Sequence, residues 1–557
     1  MGPRMRRISW PKGASSASLI VTVALFTAAA LNVAFFTDAL AIYGASATGW
    51  VFVASLFFFI TAIFVLVLSA ICHRALIKPL LIGFLLLGSV LACFSNRYGT
   101  IFDYRMVANV LETNAAEASD LFNVHLLLTV LGLGVLPSVL IYLVDLKRPH
   151  WRVETYARIK LVGAAVATLA CLQIGFGGHY AAMMRDHGAL VARVNPTYAL
   201  YSAVKLAVKS TPAAAREHVV VGPDAKTPPT DPERELVIMV VGETARADHW
   251  SLNGYGRDTN PRLAREDVVN FPDFWSCGTS TSVSVPCMFS RRGRAGLDGG
   301  LDKIEDSALD VLQRAGVSVL WRDNNSDSKG VADRVLHEDF RSARVNPICD
   351  EVECRDEGML HGLQSYIDAQ KGDVLIVLHQ MGNHGPAYYK RYPKEFERFT
   401  PVCRTNDLGS CSSEEINNAY DNVILYTDHV LSQVIAILKT NDEQFETSML
   451  YVSDHGESLG EYGVYLHGLP YALAPEAQKH VPAVMWFGKH KKHDLVLDDI
   501  EQRRKRQWSH DNIFATLLGL FEINSEAYDA SKDVFEHPPE ETAGHGAGPH
   551  LAAGHRG

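Results

Sequence analysis

The chain has 557 residues, 48% of them hydrophobic, and a formal charge of −10. That length has room for more than one domain of roughly 100–200 residues. The mild acidic charge, with no basic stripe, argues against nucleic acid as a partner.

Apolar residues concentrate before residue 180. Five stretches, about Ser18 to Phe36, Trp50 to Ile71, Pro79 to Phe94, Val124 to Val144 and Leu161 to Phe176, approach the ~20 apolar residues of a membrane helix. The third and fifth are short and need flanking residues. A signal peptide is the competing reading of the first, but four more stretches follow and no small-residue cleavage pattern stands out. Arg4, Arg6, Arg7 and Lys12 precede the first stretch, Arg74 and Lys78 follow the second, and Lys147, Arg148, Arg152, Arg158 and Lys160 separate the fourth from the fifth. Such segments belong in the cytoplasm. Asp38 to Gly49 has no Lys or Arg and Asn96 to Leu121 is net acidic, so both belong outside, as does everything after about residue 180.

Next comes Lys209 to Arg234, with Pro212, Pro223, Pro228, Pro229 and Pro232, which reads as a linker. Strand-like runs at Leu236–Val241, Val317–Trp321, Val374–Leu378, Met449–Val452 and Val481–Phe487 then alternate with helical stretches, as in a parallel α/β sheet. The clearest helix, about Glu414 to Leu438, is expected to cover that sheet without taking part in chemistry. Cys277/Cys287, Cys349/Cys354 and Cys403/Cys411 read as disulfides of an exported domain. A cysteine-only zinc site is the alternative, but no Cys-x-x-Cys knuckle is present. From about Lys532 the chain is rich in Gly, Pro and Ala, with His537, His545, His550 and His555, and is expected to be disordered. The expected division is therefore 1–180 spans, 181–234 bridge and linker, 235–531 catalytic domain and 532–557 tail.

Chemistry falls at strand ends. Glu243 follows the first soluble run, and Asp454-His455 follows Met449–Val452; open α/β sheets place their sites at such carboxyl ends. Two carboxylates and an imidazole suit zinc or manganese, and a hydroxyl as fourth ligand would be polarised toward alkoxide. Thr281, in Cys277-Gly278-Thr279-Ser280-Thr281, is the candidate hydroxyl, so the chain reads as a metal-activated threonine nucleophile. Thr279 and Ser282 are local rivals that spacing does not exclude. His379 directly follows a strand and is as readily a structural histidine as a site residue. Glu457 either orients a ligand or caps the next turn. Asn109, Thr113 and Glu117 recur every four residues, so on a helix they share one face, which by itself is a solvated one.

Five blocks carry a family resemblance: Val240-Val241-Gly242-Glu243-Thr244-Ala245-Arg246, Cys277 to Thr281, Trp321-Arg322-Asp323-Asn324-Asn325-Ser326, His379-Gln380-Met381-Gly382-Asn383-His384-Gly385-Pro386, and Ser453-Asp454-His455-Gly456-Glu457. With the five spans and three cysteine pairs, they resemble the membrane-anchored phosphoethanolamine transferases that modify lipid A, including the mobile colistin-resistance enzymes. The resemblance covers nearly all of the chain except the extreme amino terminus and the His-rich tail; Ser280 stands where relatives often have Ala. It implies an α/β fold in which a five-helix transmembrane domain precedes a soluble α/β/α domain of the alkaline phosphatase and sulfatase type. It implies one zinc held by Glu243, Thr281, Asp454 and His455, with room for a second. Thr281 would take phosphoethanolamine from phosphatidylethanolamine as a phospho-threonine and pass it to a lipid A phosphate, which confers polymyxin resistance. Ser326, Lys329, His384 and His467 match positions near the phosphate, the substrate or a further zinc, and Asn109, Thr113 and Glu117 match the lipid headgroup pocket. The resemblance also places the chain, as a monomer, in a Gram-negative inner membrane with its catalytic domain in the periplasm. Core sugars of lipopolysaccharide or a protein site are the alternative acceptors. A sulfatase would need Cys or Ser in a Cys/Ser-x-Pro-x-Arg context, which Cys277-Gly278-Thr279 is not. A teichoic-acid type glycerol-phosphate polymerase shares the layout without the cysteine pairs. A binding module that had lost chemistry would be expected to have lost a ligand, and all four are present.

Overall fold

The computed structural model describes residues 13–72, 76–113, 115–147, 149–209, 217–227, 233–298, 303–350, 353–494 and 497–535. Its first apolar stretch is not one straight span. α1 (Ser16–Ala30) and α2 (Val33–Tyr43) meet at a bend of 57°. Asn32 sits at the break, where its amide donates to the carbonyls of Thr27 and Asn195, both at 2.9 Å, and its Oδ1 accepts from the Asn195 amide at 2.8 Å. A buried polar side chain thus satisfies backbone groups that the broken helix exposes. α3 (Ala47–Ile71) and α4 (Ile77–Tyr98) follow, and after a surface excursion α7 (Val124–Leu143) and α8 (Trp151–Asp186) complete the membrane part. At 1.5 Å per residue, even the 20-residue α7 reaches the ~30 Å of a hydrocarbon core. The short third and fifth stretches do take in flanking residues, becoming helices of 22 and 36 residues.

The excursion holds two short helices, α5 (Tyr104–Glu112) and α6 (Ala115–Asp120). Asn109, Thr113 and Glu117 therefore do not share one helical face. Thr113 lies just past the end of α5 in extended conformation, and its hydroxyl turns back to donate to the Asn109 carbonyl at 2.9 Å. Short hydroxyl side chains compete with the helical ladder in this way.

The soluble domain is built on an eight-stranded sheet. Its strands are β1 (Glu235–Gly242), β2 (Val268–Trp275), β3 (Ser318–Asp323), β4 (Leu336–Asp339), β5 (Val374–His379), β6 (Glu446–Ser453), β7 (His480–Phe487) and β8 (Trp508–Ser509), in the order β8-β2-β7-β6-β1-β5-β3-β4. Neighbours run parallel except that β7 is antiparallel to both β2 and β6. The central strands are apolar on both faces because both are covered. Val237, Met239 and Val241 pack into one core, while Leu236, Ile238 and Val240 enter the other, beneath the helix Ser413–Asn441. That helix is long and apolar enough to pass for a membrane span, yet it covers the sheet, as expected.

Two expected boundaries move. Glu217–Val219 pairs with Lys303–Glu305, and Val221 and Ala225 join the core, so part of the expected linker is folded onto the soluble domain. Val534 and Phe535 are fully buried, so the fold continues past Lys532; the four tail histidines lie outside the described residues. All three cysteine pairs are disulfide-bonded, and Cys72, Cys93 and Cys171 are free.

At the amino ends of β1 and β6, the buried Lys491 ammonium pairs with Glu235 and, at 3.1 Å, with Glu446. Substituting Lys491→Met leaves both carboxylates buried without their cation and is expected to cost about 3–5 kcal/mol, read as a lowered unfolding midpoint. An unchanged midpoint would show that this cluster does not hold the two strands.

Candidate metal centre

β1 and β6 lie side by side in register, Gly242 opposite Ser453, so Glu243 and Asp454 leave the sheet together. The turn after Glu243 is held tightly. Thr244 has a φ of 49°, its amide donates to Asp454 Oδ1 at 3.1 Å, and its carbonyl accepts from Tyr420 at 2.6 Å. Left-handed backbone at a non-glycine residue costs of order 1–3 kcal/mol and persists only where surroundings impose it. Gly382 closes the back of the site, where a Cβ would meet the Glu243 carbonyl oxygen at 2.9 Å.

Thr281 is the first residue of α9 (Thr281–Met288). Its hydroxyl donates to Glu243 Oε2 at 3.0 Å and lies 3.4 Å from His455 Nε2. The rival hydroxyls point elsewhere: Thr279 donates to the Leu469 carbonyl at 2.6 Å, and Ser282 meets Asn109 Oδ1 at 3.4 Å. His510 fixes this loop against the ligand strand. Its Nδ1 accepts from the Cys277 amide at 3.2 Å and its Nε2 donates to the Ser453 carbonyl at 2.9 Å, while burial pushes its pKa down to about 4.

One ligand atom from each of Glu243, Asp454 and His455 lies within 4.8 Å of the others, and all three residues are buried. His455 Nδ1 donates to the Gly456 carbonyl at 3.0 Å, which leaves the Nε2 lone pair facing Asp454 Oδ2 at 3.3 Å and Glu243 Oε1 at 3.4 Å. Neither of those oxygens receives a hydrogen bond. Burial, and next the Asp454 charge, push the Glu243 carboxyl well above its ordinary range; burial likewise raises Asp454 and pushes the His455 imidazole well down. Three lone-pair donors converging on one point with no donor proton between them fit a cation. Two hard oxygens and one imidazole, with a hydroxyl beside them, suit a cation such as zinc or manganese.

Other expected residues gather around this point. The His467 ring is 4.4 Å from His455 and 5.5 Å from His384. Burial alone would lower His467, but Glu457, Glu243 and Glu117 together raise it, and Glu457 Oε1 lies 3.3 Å from its Nδ1. Glu457 thus orients His467. Burial, then the His467 charge, hold His384 well below the usual histidine range. Lys329 Nζ donates to the Ser326 carbonyl at 2.8 Å and faces Glu112 electrostatically. Asn109 reaches the first turn of α9 through Ser282, whereas the Thr113 hydroxyl is turned to its own helix. His379 Nδ1 pairs with Asp323 Oδ2 at 2.8 Å, its ring edge-on to Trp321, and its buried Nε2 has no hydrogen-bond partner. Sequence reasoning did not single out Asn325, whose amide donates to Glu243 Oε2 and to the Gln380 carbonyl, both at 2.7 Å; its signal was its place in the block ending at Ser326. His510 carried no local signal.

A sulfatase family model matches residues 235–523, and a model described as phosphoethanolamine transferase EptA/EptB matches residues 60–211. Phosphatidylethanolamine transferase Mcr-1 of Escherichia coli is 43% identical over 521 residues, covering 91% of this chain and 95% of the relative. The chain belongs to the phosphoethanolamine transferase family. Phosphoethanolamine transferase EptA of Salmonella typhimurium is 41% identical over 81% of this chain and 84% of its own. The solved integral membrane lipooligosaccharide phosphoethanolamine transferase A (EptA) of Neisseria meningitidis is 33% identical and superposes with a TM-score of 0.88 over 94% of this chain and 98% of that one. This phosphoethanolamine transferase is accordingly a multi-span membrane protein carrying a sulfatase-like domain.

His510→Ala removes both of the buried bonds made by its ring and leaves the Cys277 amide and Ser453 carbonyl unmatched. It is expected to lower stability by about 2–3 kcal/mol in thermal unfolding of the full chain. Wild-type stability in this variant would show that the two loops are fixed by other contacts.

Proposed function

We propose that the chain transfers phosphoethanolamine from phosphatidylethanolamine to a phosphate of lipid A, with Thr281 as the nucleophile and zinc held by Glu243, Asp454, His455 and Thr281. The observation that carries this reading is the Thr281 hydroxyl, directed into a buried trio of lone-pair donors at the carboxyl ends of two parallel strands. The names of the relatives support the donor and the lipid acceptor. Bound zinc supplies a Lewis acid that lowers the pKa of the hydroxyl. Glu243 divides its work between two oxygens: Oε2 accepts from Thr281 and Asn325, and Oε1 is left for the metal. The threonine proton is therefore already aimed at Oε2.

Thr281 Oγ attacks the donor phosphorus, the bond to the diacylglycerol oxygen breaks, and phosphoethanolamine stays on Thr281 as a covalent ester. His467, paired with Glu457, gives the leaving oxygen its proton. An acceptor phosphate oxygen then attacks the same phosphorus and frees Thr281, a ping-pong sequence. The amino end of α9 and the Lys329 ammonium favour the negative phosphoryl oxygens, and Glu117 suits the ethanolamine ammonium. In this reading the soluble domain lies in the periplasm of a Gram-negative cell, and added cationic groups weaken polymyxin binding to lipid A.

Mass spectrometry of lipid A from a Gram-negative host tests this directly. Expression should yield a species heavier by one phosphoethanolamine together with reduced polymyxin susceptibility. Thr281→Ala at equal membrane levels should lower transfer by at least about a thousandfold. Unmodified lipid A with phosphoethanolamine on core sugars would move the acceptor, and a fully active Thr281→Ala would remove the nucleophile assignment. Glu243→Ala is expected to lose both activity and zinc, and retained zinc would mean that the ligand set is different.

A further inference from the structure

The excursion through α5 and α6 meets the soluble domain at several points. Arg97 Nε donates to Asp407 Oδ1 at 2.9 Å and the Asn406 amide donates to the Phe122 carbonyl at 2.7 Å, flanking the Asn109 contact with Ser282. The tightest of these contacts is made by Asp120, the last residue of α6, only 6% exposed although it is a carboxylate. Its Oδ1 accepts from Lys390 Nζ at 2.6 Å and its Oδ2 from Arg391 Nη2 at 2.7 Å. Arg391 is itself buried and uses its whole fork. Nη1 donates to Glu353 Oε2 at 2.6 Å and Nε to the His384 carbonyl at 2.8 Å. Asp120, Glu353, Lys390 and Arg391 thus form an ion cluster between the two domains.

A buried ion cluster adds little net stability, but an arrangement that separates its members strands a charge. Register matters here. Glu117 lies three residues before Asp120, about one turn earlier in α6, so whatever fixes Asp120 also fixes Glu117. The same Arg391 that holds Asp120 also holds the backbone of His384.

We infer that Asp120 is a positioning residue for the donor lipid: its pairing with Lys390 and Arg391 locks α6 onto the catalytic domain, and so sets Glu117 and His384 around the ethanolamine headgroup. The inference rests on the reading that Glu117 and His384 line the donor site. Asp120 acts through those residues and does not touch the reacting atoms.

The test uses the full chain in vesicles containing phosphatidylethanolamine, with Asp120→Asn, Asp120→Glu and Arg391→Lys, each with and without Glu117→Gln. Asp120→Asn should raise KM for phosphatidylethanolamine about tenfold with kcat within about twofold, at unchanged zinc content, and Asp120→Glu should restore most of the loss. Arg391→Lys, which keeps the charge but loses the fork, should fall between. In the Glu117→Gln background Asp120→Asn should add less than about twofold, because coupled residues are not additive. An unchanged KM, or the same tenfold cost in that background, would overturn the inference. Hydrogen exchange across 104–120 reads the lock without any transfer assay, and Asp120→Asn should speed exchange of α6 amides at least about tenfold. Should the wild type transfer nothing, the functional reading falls while exchange still decides the lock; unchanged exchange refutes it.

Discussion

Two carboxylates and an imidazole lone pair held together in a dry interior repel one another, and much of the soluble domain can be understood as the scaffold that keeps them there. Register between β1 and β6 sets Glu243 beside Asp454. The left-handed turn at Thr244 and the close approach of Gly382 leave Glu243 little freedom to swing away. Asn325 and Thr281 both donate to one oxygen of Glu243, and the His455 ring is fixed by its bond to the Gly456 carbonyl. Three lone pairs facing one buried point make a place that a cation fits.

Most of this was legible in the sequence because the informative residues follow buried strands directly. Glu243 and the Asp454-His455 pair come immediately after apolar runs that fold as expected. β2 escaped because it is only partly buried and carries Pro272 and Asp273, so its pattern is not that of a central strand. β4, a short and mostly polar edge strand, and the two-residue β8 offer even less signal. The bend between α1 and α2 depends on Asn32, whose partner Asn195 lies 163 positions away. His510 and Arg391 were invisible for the same reason: their partners Cys277 and Asp120 are 233 and 271 positions distant. Local patterning reveals what a strand end presents and says nothing of which distant side chain will brace it.

The expected headgroup residues illustrate a different limit. A four-residue recurrence is evidence for a shared face only if the helix continues, and here it stops at Glu112. Both helices nevertheless reach the catalytic domain, Asn109 of α5 at Ser282 and Asp120 of α6 at Lys390 and Arg391. Thr113 lies just past the end of α5, where its hydroxyl donates to the Asn109 carbonyl. In the proposed function the site is thus composite, with Glu243, Asp454 and His455 at strand ends, Thr281 on α9, and Asn109 brought in by the membrane domain.

A composite site needs its two halves to meet reproducibly, and the disulfides bear on that need. Glu353, the partner of Arg391, lies inside the Cys349–Cys354 loop, and Asn406 and Asp407, which reach Phe122 and Arg97, lie inside the Cys403–Cys411 loop. The third bridge, Cys277–Cys287, encloses Thr281 itself. None of the three crosses the sheet core, which is already stabilised by the apolar faces of β1, β5 and β6. Closing a short loop removes conformational freedom that docking would otherwise have to remove, so each bridge lowers the entropic cost of aligning one contact. Covalent constraint is concentrated where the membrane segment and the Thr281 segment meet the rest of the site, and hydrophobic burial is left to hold the sheet.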